Sequence, residues 1–324
     1  MLNMKNHIED ALQQYGEKLV SYEDLYNGSS NMNWKVHTSN GDYVLKRMPM
    51  HHPEKFIEFQ NWLSSKLAET KIPFKPNVFT KSGDTVLVHN SYLWQLRPYV
   101  NGRFHKLGDR NDTKSCINVL LKLHSMDVDK NNNDTIEDFV YWTNEGEKKL
   151  KRSTEIIRKF VDNHTLSRMT KHYAALIKRS SESGYQMMNL KNVINHGDFH
   201  SRNLIFNDDG LSAVIDWDNS KIGPRVSDFA KAFYLLSRCM HNSFAINVGM
   251  AERFLAQYHN VAKLTKEEIH LIPLILGVAY IPKPEHLLSF GNNVDKLLWY
   301  INWTFNGSEM AECQLRPIIQ KLIF

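Results

Sequence analysis

The first hundred residues alternate between apolar and polar positions in the way that predicts β-strands. Two turn signals, at residues 27–29 and 40–42, divide residues 20–47 into strands of a hairpin. "TVLVH" and "YLWQLRPYV" predict two more strands, and apolar residues at helical spacing after Pro53 predict one helix. This part of the chain is therefore expected to form a small α+β unit with an antiparallel sheet. The positions expected to share one side of the hairpin are Trp34, Val36, Tyr43 and Leu45.

Helical periodicity dominates from about residue 111 to the end of the chain, interrupted by the short strands "LIF" and "AVIDW". Pro98, Asn101 and Gly102 mark the change of pattern. We therefore expect two domains, 1–96 and 97–324, with a hinge at about 95–102. The most apolar run, residues 271–282, is shorter than the roughly 20 residues that span a bilayer, and it predicts a buried helix.

Composition narrows the class of protein without assigning a function. The 324 residues are 42% hydrophobic and 23% charged, which excludes a disordered chain. The net charge of +5 is dispersed along the chain, so no stretch is typical of a nucleic-acid-binding tail. The first 16 residues form an amphipathic pattern with acids and lack an apolar leader. We expect a soluble, cytoplasmic protein with neither a nucleic-acid nor a membrane partner. The sequence leaves its oligomeric state unknown.

The candidate chemistry is concentrated in "VINHGDFHSRNLIFNDDGLSAVIDWDNS", residues 193–220. Here Asp198 and Asn203 are five residues apart, and Asp216 follows after a predicted hairpin. In protein kinases a loop of the His-x-Asp-x4-Asn type supplies an Asp that accepts the substrate hydroxyl proton and an Asn that holds Mg²⁺, and a second metal-binding Asp follows. The pattern predicts Asp198 as the catalytic base and Asn203 and Asp216 as metal ligands.

Phosphoryl transfer requires charge neutralisation and positioning, so a kinase also needs groups for the nucleotide phosphates. A strand lysine paired with a helix glutamate fills that role in kinases, and Lys46 and Glu58 are the candidates, with Glu54 as an alternative acid. A phosphate-binding loop is predicted at Ser29, Ser30 and Asn31. That loop, "NGSSNMN", has one glycine and lacks the glycine-rich kinase pattern.

These segments resemble the aminoglycoside phosphotransferase and choline kinase-like superfamily. The segments that match are "YVLKRM", "EFQNWL", "LWQLRPYVNG", "LLKLHSM", "HGDFHSRNLIF" and "VIDWDNSKIGPRVSDFAKAFYLL". The resemblance implies a two-lobed protein-kinase-like fold, with a small antiparallel β-sheet N-lobe carrying one helix and a larger, mostly helical C-lobe. It also implies ATP, Mg²⁺ and a hydroxyl-bearing small molecule as ligands. Adenine is then expected on the hinge backbone of Gln95, Leu96 and Arg97.

Neighbouring residues have expected supporting roles. Asp218, two residues beyond Asp216, is expected to point the same way on a strand and to have an auxiliary role, either helping to hold the metal or capping the loop. Asp228 opens a predicted helix and is expected to be a first-turn acid that orients the catalytic loop. His196 and His200 are expected to support that loop by hydrogen bonding, and His124 is expected to be a buried histidine with its polar atoms satisfied.

Two other functions stay open at this point. A protein of the same fold could bind nucleotide or a partner without turnover. A metal-dependent phosphoesterase could use His196, Asp198 and His200 as ligands, although no second cluster of such residues follows in the sequence.

The sequence does not identify the molecule that accepts the phosphoryl group. It is expected to be a metabolite, such as homoserine or another amino alcohol, or an antibiotic. Residues 231–324 contain nine Lys or Arg and seven Asp or Glu, a balance that disfavours a highly cationic antibiotic.

Overall fold

The structure is a computed structural model that describes residues 4–25, 31–49, 53–128, 137–183 and 190–323. The chain divides into two compact units, the first formed by Met1–Phe104 and Leu204–Asp218 and the second by His105–Asn203 and Asn219–Phe324. The first unit contains α1 (Met4–Gln14), β1 (Leu19–Asp24), β2 (Met32–Thr38), β3 (Gly41–Pro49), α2 (Pro53–Ala68), β4 (Leu87–His89), β5 (Tyr92–Pro98), β6 (Arg103–Phe104), β8 (Leu204–Asn207) and β9 (Gly210–Val214).

A five-stranded antiparallel sheet in the order β1-β2-β3-β5-β4 forms the centre of the first unit. Trp34, Val36 and Leu45 are buried against α1, and Tyr43 packs against the same cluster. This arrangement confirms the buried face that the alternation predicted, because side chains on a strand point alternately to its two sides. The predicted helix after Pro53 is also confirmed, as α2.

The unit boundary differs from the predicted domain boundary at residues 96–97. The first unit continues to Phe104 and also includes the hairpin of β8 and β9, which was expected in the helical part of the chain. The physical reason is strand pairing: β6 pairs with β8, and Val214 donates its N–H to the Pro73 carbonyl at 2.8 Å. A two-residue strand such as β6 has too few alternating positions to be predicted from the sequence.

The second unit is mostly helical. Its elements are α3 (Arg110–Ser125), α4 (Glu137–Thr143), α5 (Gly146–Ile157), α6 (Asn163–Glu182), β7 (Asn192–Asn195), β10 (Lys221–Pro224), α7 (Arg225–Leu236), α8 (Val248–Ala262), α9 (Lys266–Ala279), α10 (Pro284–Ser289) and α11 (Val294–Ile323). The apolar run at 271–282 is buried in α9 as predicted. None of the helices in the described residues combines the length and apolar character needed to cross a membrane.

Candidate active site

Lys46 is the centre of a charged cluster in the first unit. It lies in β3 with a side chain that is 3% exposed, and its Nζ contacts Asp216 Oδ1 at 2.5 Å and also Asp218 Oδ2. Burial raises the pKa of the Asp218 carboxyl, and the opposing charge of Lys46 does not fully offset that effect. A buried ammonium group requires an anionic partner. The structure therefore brings together two predicted residues, Lys46 and Asp216, and gives Asp218 a direct role beside them.

The segment after β9 does not continue as the strand predicted by "AVIDW". β9 ends at Val214, and Asp216 has a φ of 65°, in the left-handed region that few residues other than glycine adopt. Asp218 therefore reaches Lys46 from a turn and not from strand alternation. Asp216 is 32% exposed, so part of its carboxylate is open to a ligand.

Gln60 supports this strained turn. Its side chain is buried, and its Nε2 donates to the Trp217 carbonyl at 3.0 Å. The Trp217 indole donates to the Val214 carbonyl at 2.9 Å and packs edge-on against Phe74. Because Trp217 directly follows Asp216, these contacts hold the backbone next to Asp216 in place.

Glu58 does not form the predicted pair with Lys46. It lies exposed on α2, as does Glu54, and the partners of Lys46 in the described part of the chain are Asp216 and Asp218. Two residues along an α-helix correspond to a rotation of about 200°. Glu58 therefore points away from the face on which Gln60 is buried.

We expect Gln60→Leu to lower kcat/KM for ATP by about tenfold, because a displacement of about 1 Å at a catalytic group can cost up to about a hundredfold. The substitution leaves the Trp217 carbonyl without its donor while nearly keeping the side-chain volume. Steady-state kinetics on Gln60→Leu and on Glu58→Gln, the matched control from the exposed face, tests this expectation. A larger loss in Glu58→Gln than in Gln60→Leu would contradict the assignment.

A narrow cleft adjoins the charged cluster within the first unit. Its lining includes the side chains of Gln60, Gln95, Arg97, Trp217 and Asp218. The Nε2 atom of Gln95 is buried and has no hydrogen-bond partner in the part of the chain that the structure describes. Since an unsatisfied buried donor is costly, this atom fits a polar acceptor on a bound ligand.

Gln95, Leu96 and Arg97, predicted to hold adenine through their backbone, lie inside β5 opposite β3. The Leu96 carbonyl accepts from Val78 N–H at 2.7 Å, on the side away from β3. Hydrogen-bonded pairs alternate along an antiparallel ladder, so Gln95 and Arg97 direct their backbone groups toward β3. Much of this backbone is therefore already engaged, and what Gln95 and Arg97 offer to the cleft is their side chains.

The predicted phosphate loop is described only in part. Ser29 and Ser30 lie outside the described residues. Asn31 lies just before β2, and its Nδ2 is 3.5 Å from Asp218 Oδ2. Asn31 is therefore next to the Lys46 cluster, as expected for a residue that contacts phosphate.

In the second unit, Asp198 and Asn203 lie together in the predicted catalytic loop. Asn203 Nδ2 donates to the Asp198 carbonyl at 2.9 Å and to Asp198 Oδ2 at 3.2 Å. The Asn203 amide nitrogen, which also lies 3.4 Å from His200 Nε2, is thereby engaged within the loop, and the carbonyl oxygen of this side chain can act only as an acceptor. Asp198 is 35% exposed, so it is open to an acceptor. The separation of five residues in the sequence thus produces direct contact, because Ser201–Asn203 forms a 3₁₀ turn that folds Asn203 back.

Asp228 holds the start of this loop. Its two carboxylate oxygens accept from Gly197 N–H at 2.8 Å and from His196 N–H at 2.9 Å. His124 Nε2 lies 3.1 Å from Asp228 Oδ2, and His124 Nδ1 lies 2.6 Å from the Tyr258 hydroxyl. Burial alone would raise the pKa of the Asp228 carboxyl, but the His124 hydrogen bond, the charges of His124 and His196 and the His196 N–H lower it. The expected roles of Asp228 and His124 are confirmed.

Gly197 is required at its position in the loop. Its φ of 79° is unfavourable for residues with a side chain, and a Cβ there would collide with the Asn219 backbone. The Asp228 carboxylate can accept both successive N–H groups because the chain turns at this glycine.

The histidines of the loop act as supports, as expected. His196 is fully buried, and its Nδ1 accepts from Asp198 N–H at 3.3 Å. His200 Nδ1 accepts from Arg202 N–H at 3.2 Å, and its Nε2 lies 3.4 Å from Asp198 Oδ2. The described residues contain no group of three or more His, Cys, Asp or Glu arranged to hold a metal ion. A phosphoesterase centre built from His196, Asp198 and His200 therefore has no support in that part of the chain.

A family model described as the phosphotransferase enzyme family matches residues 21–269, which include the Lys46 cluster of the first unit and the Asp198 loop of the second. The chain belongs to the phosphotransferase enzyme family. This agrees with the resemblance to aminoglycoside phosphotransferases noted from the sequence, and Lys46, Asp198, Asn203 and Asp216 all fall within the matched residues.

Solved structures show the fold that this phosphotransferase shares with known kinases. A microcompartment-associated aminopropanol kinase is 14% identical with a TM-score of 0.69, covering 96% of this chain and 99% of that chain. A spectinomycin phosphotransferase in complex with ADP and spectinomycin is 15% identical, with a TM-score of 0.63 and coverage of 95% and 97%. An amicoumacin kinase in complex with AMP-PNP and Ca²⁺ is 13% identical, with a TM-score of 0.64 and coverage of 99% and 97%. The predicted protein-kinase-like fold is confirmed.

Sequence reasoning missed Gln60, which contacts the Trp217 carbonyl, and gave Asp218 a smaller role than its contact with Lys46 indicates. Gln60 gave no signal, because a glutamine in an amphipathic helix is ordinary. Asp218 was expected only as an auxiliary residue, yet it contacts both Lys46 and Asn31. The only available signal was the pair of acids in "DWD", and the sequence does not show in which direction their carboxylates point.

Proposed function

We propose that the protein is an ATP- and Mg²⁺-dependent kinase that transfers the γ-phosphate of ATP to a hydroxyl group of a small molecule. The observation that carries the proposal is the Asp198–Asn203 pair, in which the amide holds the carboxylate and keeps its own carbonyl oxygen for a metal. The family match and the kinase-like fold are consistent with it.

The first unit is proposed to bind the nucleotide. Lys46 engages the phosphates when ATP replaces part of its contact with Asp216 and Asp218, and Asn31 adds an amide donor. Gln95 Nε2, which is buried without a partner in the described residues, provides a donor for the base. Structural neighbours crystallised with ADP or AMP-PNP are consistent with ATP as the phosphate donor.

Asn203 and Asp216 are the residues that would hold Mg²⁺. One carboxylate and one amide oxygen suit this ion, which prefers oxygen ligands and keeps several waters or phosphate oxygens. When bound, the ion neutralises charge that develops on the transferred phosphoryl group. The partial exposure of Asp216 fits this role, and so does the carbonyl oxygen of Asn203, since within the described residues the hydrogen bonds of Asn203 to Asp198 use its amide nitrogen.

Asp198 is proposed to accept the proton of the acceptor hydroxyl. The acceptor oxygen forms a bond to the γ-phosphorus while the bond from that phosphorus to the β–γ bridging oxygen breaks. The phosphorylated acceptor and ADP are the products, and the proton leaves through Asp198. The second unit thus supplies the residue that meets the acceptor.

The alternative function, a protein of the same fold that binds nucleotide without turnover, is less well supported. Lys46, Asp198, Asn203 and Asp216 are all present. The ion pair between Lys46 and Asp216 and the hydrogen bond from Asn203 to Asp198 are both formed. A protein that only binds nucleotide has no need for a positioned proton acceptor.

A thermal-shift experiment tests the nucleotide half of the proposal. We expect ATP with Mg²⁺ to raise the unfolding temperature of the wild type, because a ligand at a hundred times its Kd stabilises the folded state by about 2.7 kcal/mol. Lys46→Met, which nearly conserves volume, should lose most of that shift. Lys35→Met, at a half-buried lysine elsewhere on the same sheet, is the control. Equal stabilisation of the wild type and Lys46→Met would count against the proposal.

A further inference from the structure

Arg238 is a buried arginine that has no acidic partner among the residues that the structure describes. It follows α7, is 8% exposed, and its Nε donates to the Leu235 carbonyl at 3.5 Å. Within the described residues, no carboxylate oxygen lies within 4 Å of it. Burying a guanidinium group without an anion is unfavourable. Such an arginine is typical of a site in which a bound ligand supplies the anion.

Arg225, at the other end of α7, shows what a structural arginine looks like in this protein. Its guanidinium donates to both carboxylate oxygens of Glu268 at 2.6 Å. It also donates to the carbonyls of Ala262 and Lys263. The two arginines are about equally buried, and only Arg225 has its anion supplied by the chain in the described residues.

The segment that contains Arg238 is tied to the catalytic loop. Arg238 forms an antiparallel bridge with Ile246, and Cys239 N–H donates to the Ala245 carbonyl at 2.8 Å. Three residues after Arg238, His241 Nδ1 lies 3.1 Å from Ser201 Oγ. Ser201 begins the 3₁₀ turn that ends at Asn203. The backbone around Arg238 is therefore fixed relative to the loop that carries Asp198.

Arg238 and the proposed base both act on the same phenol, that of Tyr280. Burial raises the pKa of the Tyr280 phenol to about 12, with the Asp198 charge adding to the rise and the Arg238 charge opposing it. The same phenol therefore senses both Arg238 and Asp198. Burial lowers the pKa of His241, and the charges of Arg202, Arg238 and His200 lower it further. Arg202, Arg238 and His200 are thus close enough to His241 for their charges to act on its imidazole.

We propose that Arg238 binds a carboxylate group of the acceptor, so that the preferred substrates are hydroxy acids. This inference rests on the proposed kinase function and names its substrate class. The planar guanidinium matches a carboxylate through two parallel hydrogen bonds. The positive surroundings disfavour polycationic acceptors, in line with the nine basic and seven acidic residues of 231–324.

The kinetic test compares glycerate, 4-hydroxybutyrate and L-homoserine with their primary amides as acceptors. We expect the wild type to prefer the acids by at least tenfold in kcat/KM. Arg238→Gln should remove most of that preference by raising KM for the acids, with KM for ATP and use of the amides unchanged. Arg168→Gln, which removes an exposed arginine paired with Glu309, is the charge-matched control and should behave as wild type. Equal use of acids and amides overturns the proposal, and so does a rise in KM for ATP in Arg238→Gln.

A binding and stability test does not depend on turnover. The three acids should raise the unfolding temperature of the wild type but not that of Arg238→Gln, and the absence of any shift in the wild type overturns the proposal. Without ligand, Arg238→Gln should unfold at the wild-type temperature or above it, because an uncompensated buried charge has been removed. A fall of several degrees would show a structural role and overturn the proposal. Failure of the kinase function itself appears differently, as the absence of ATP-dependent phosphorylation of every acceptor and of stabilisation by ATP.

Discussion

Asp198→Asn is expected to lower kcat by about 10²–10⁴-fold, the usual contribution of a positioned general base. The substitution keeps the size of the side chain and removes its capacity to accept a proton. Asn203 can still donate to the residue at 198, both to its backbone carbonyl and to its side-chain oxygen. The loop geometry should therefore survive, and the loss should appear in the chemical step.

Measurements on Asp198→Asn should separate chemistry from binding. KM for ATP and the thermal stabilisation by ATP with Mg²⁺ should stay at the wild-type level, since Lys46 and Asp216 are untouched. Asp209→Asn, an exposed acid in the turn that joins β8 and β9, is the matched control and should retain full activity. A kcat for Asp198→Asn within a few-fold of wild type would refute the assignment of Asp198 as the base.

Asp228→Ala should reduce both stability and activity. Asp228 is 1% exposed and accepts hydrogen bonds from two successive backbone N–H groups, and it also contacts His124. Removing one partner from such a buried charged network costs about 3–5 kcal/mol. Because the two N–H groups belong to His196 and Gly197, at the start of the catalytic loop, kcat should fall as well.

Chemical denaturation and steady-state kinetics test the role of Asp228. Asp228→Asn keeps one acceptor oxygen, so its loss of stability should be smaller than that of Asp228→Ala. Asp162→Ala removes an acid that accepts two backbone N–H groups at an exposed helix start, and it should cost much less. An unchanged denaturation midpoint in Asp228→Ala would show that the network does not stabilise the fold.

The stability that Asp228 contributes should depend on pH in a defined direction. Its pKa in the folded protein is lower than the ordinary value of 3.8. A carboxyl with a lowered pKa stabilises the folded state at pH values above its unfolded pKa, and this contribution is lost as the pH falls through the folded value. The difference in unfolding free energy between wild type and Asp228→Ala should therefore be full at pH 7 and shrink below about pH 4. A difference that grows on acidification would contradict the network as described.

Several features of the fold and the site follow from the sequence alone because they depend on local periodicity and spacing. Strand alternation identified the buried face that contains Trp34 and Leu45, and it placed Lys46 in β3. The spacing of Asp198 and Asn203 indicated that both belong to one catalytic-type loop, and the structure adds that the two side chains are in direct contact. The role of Asp228 was also predictable, because an acid in the first turn of a helix is well placed to accept backbone N–H groups from a loop that packs against the start of that helix.

Other features were decided by tertiary structure, because they depend on the orientation of elements that are distant in the sequence. The phase of α2 turns Gln60 inward and Glu58 outward, and both are unremarkable polar residues in the sequence. The partners of Lys46 lie about 170 residues away in the sequence, at a turn. No sequence pattern predicted the left-handed backbone conformation of Asp216 in that turn. Arg225 and Arg238 look alike in the sequence, and only packing gives the first a carboxylate partner at 2.6 Å while burying the second without one in the described residues. Periodicity determines which residues are buried, but the choice of partner depends on which elements meet in space.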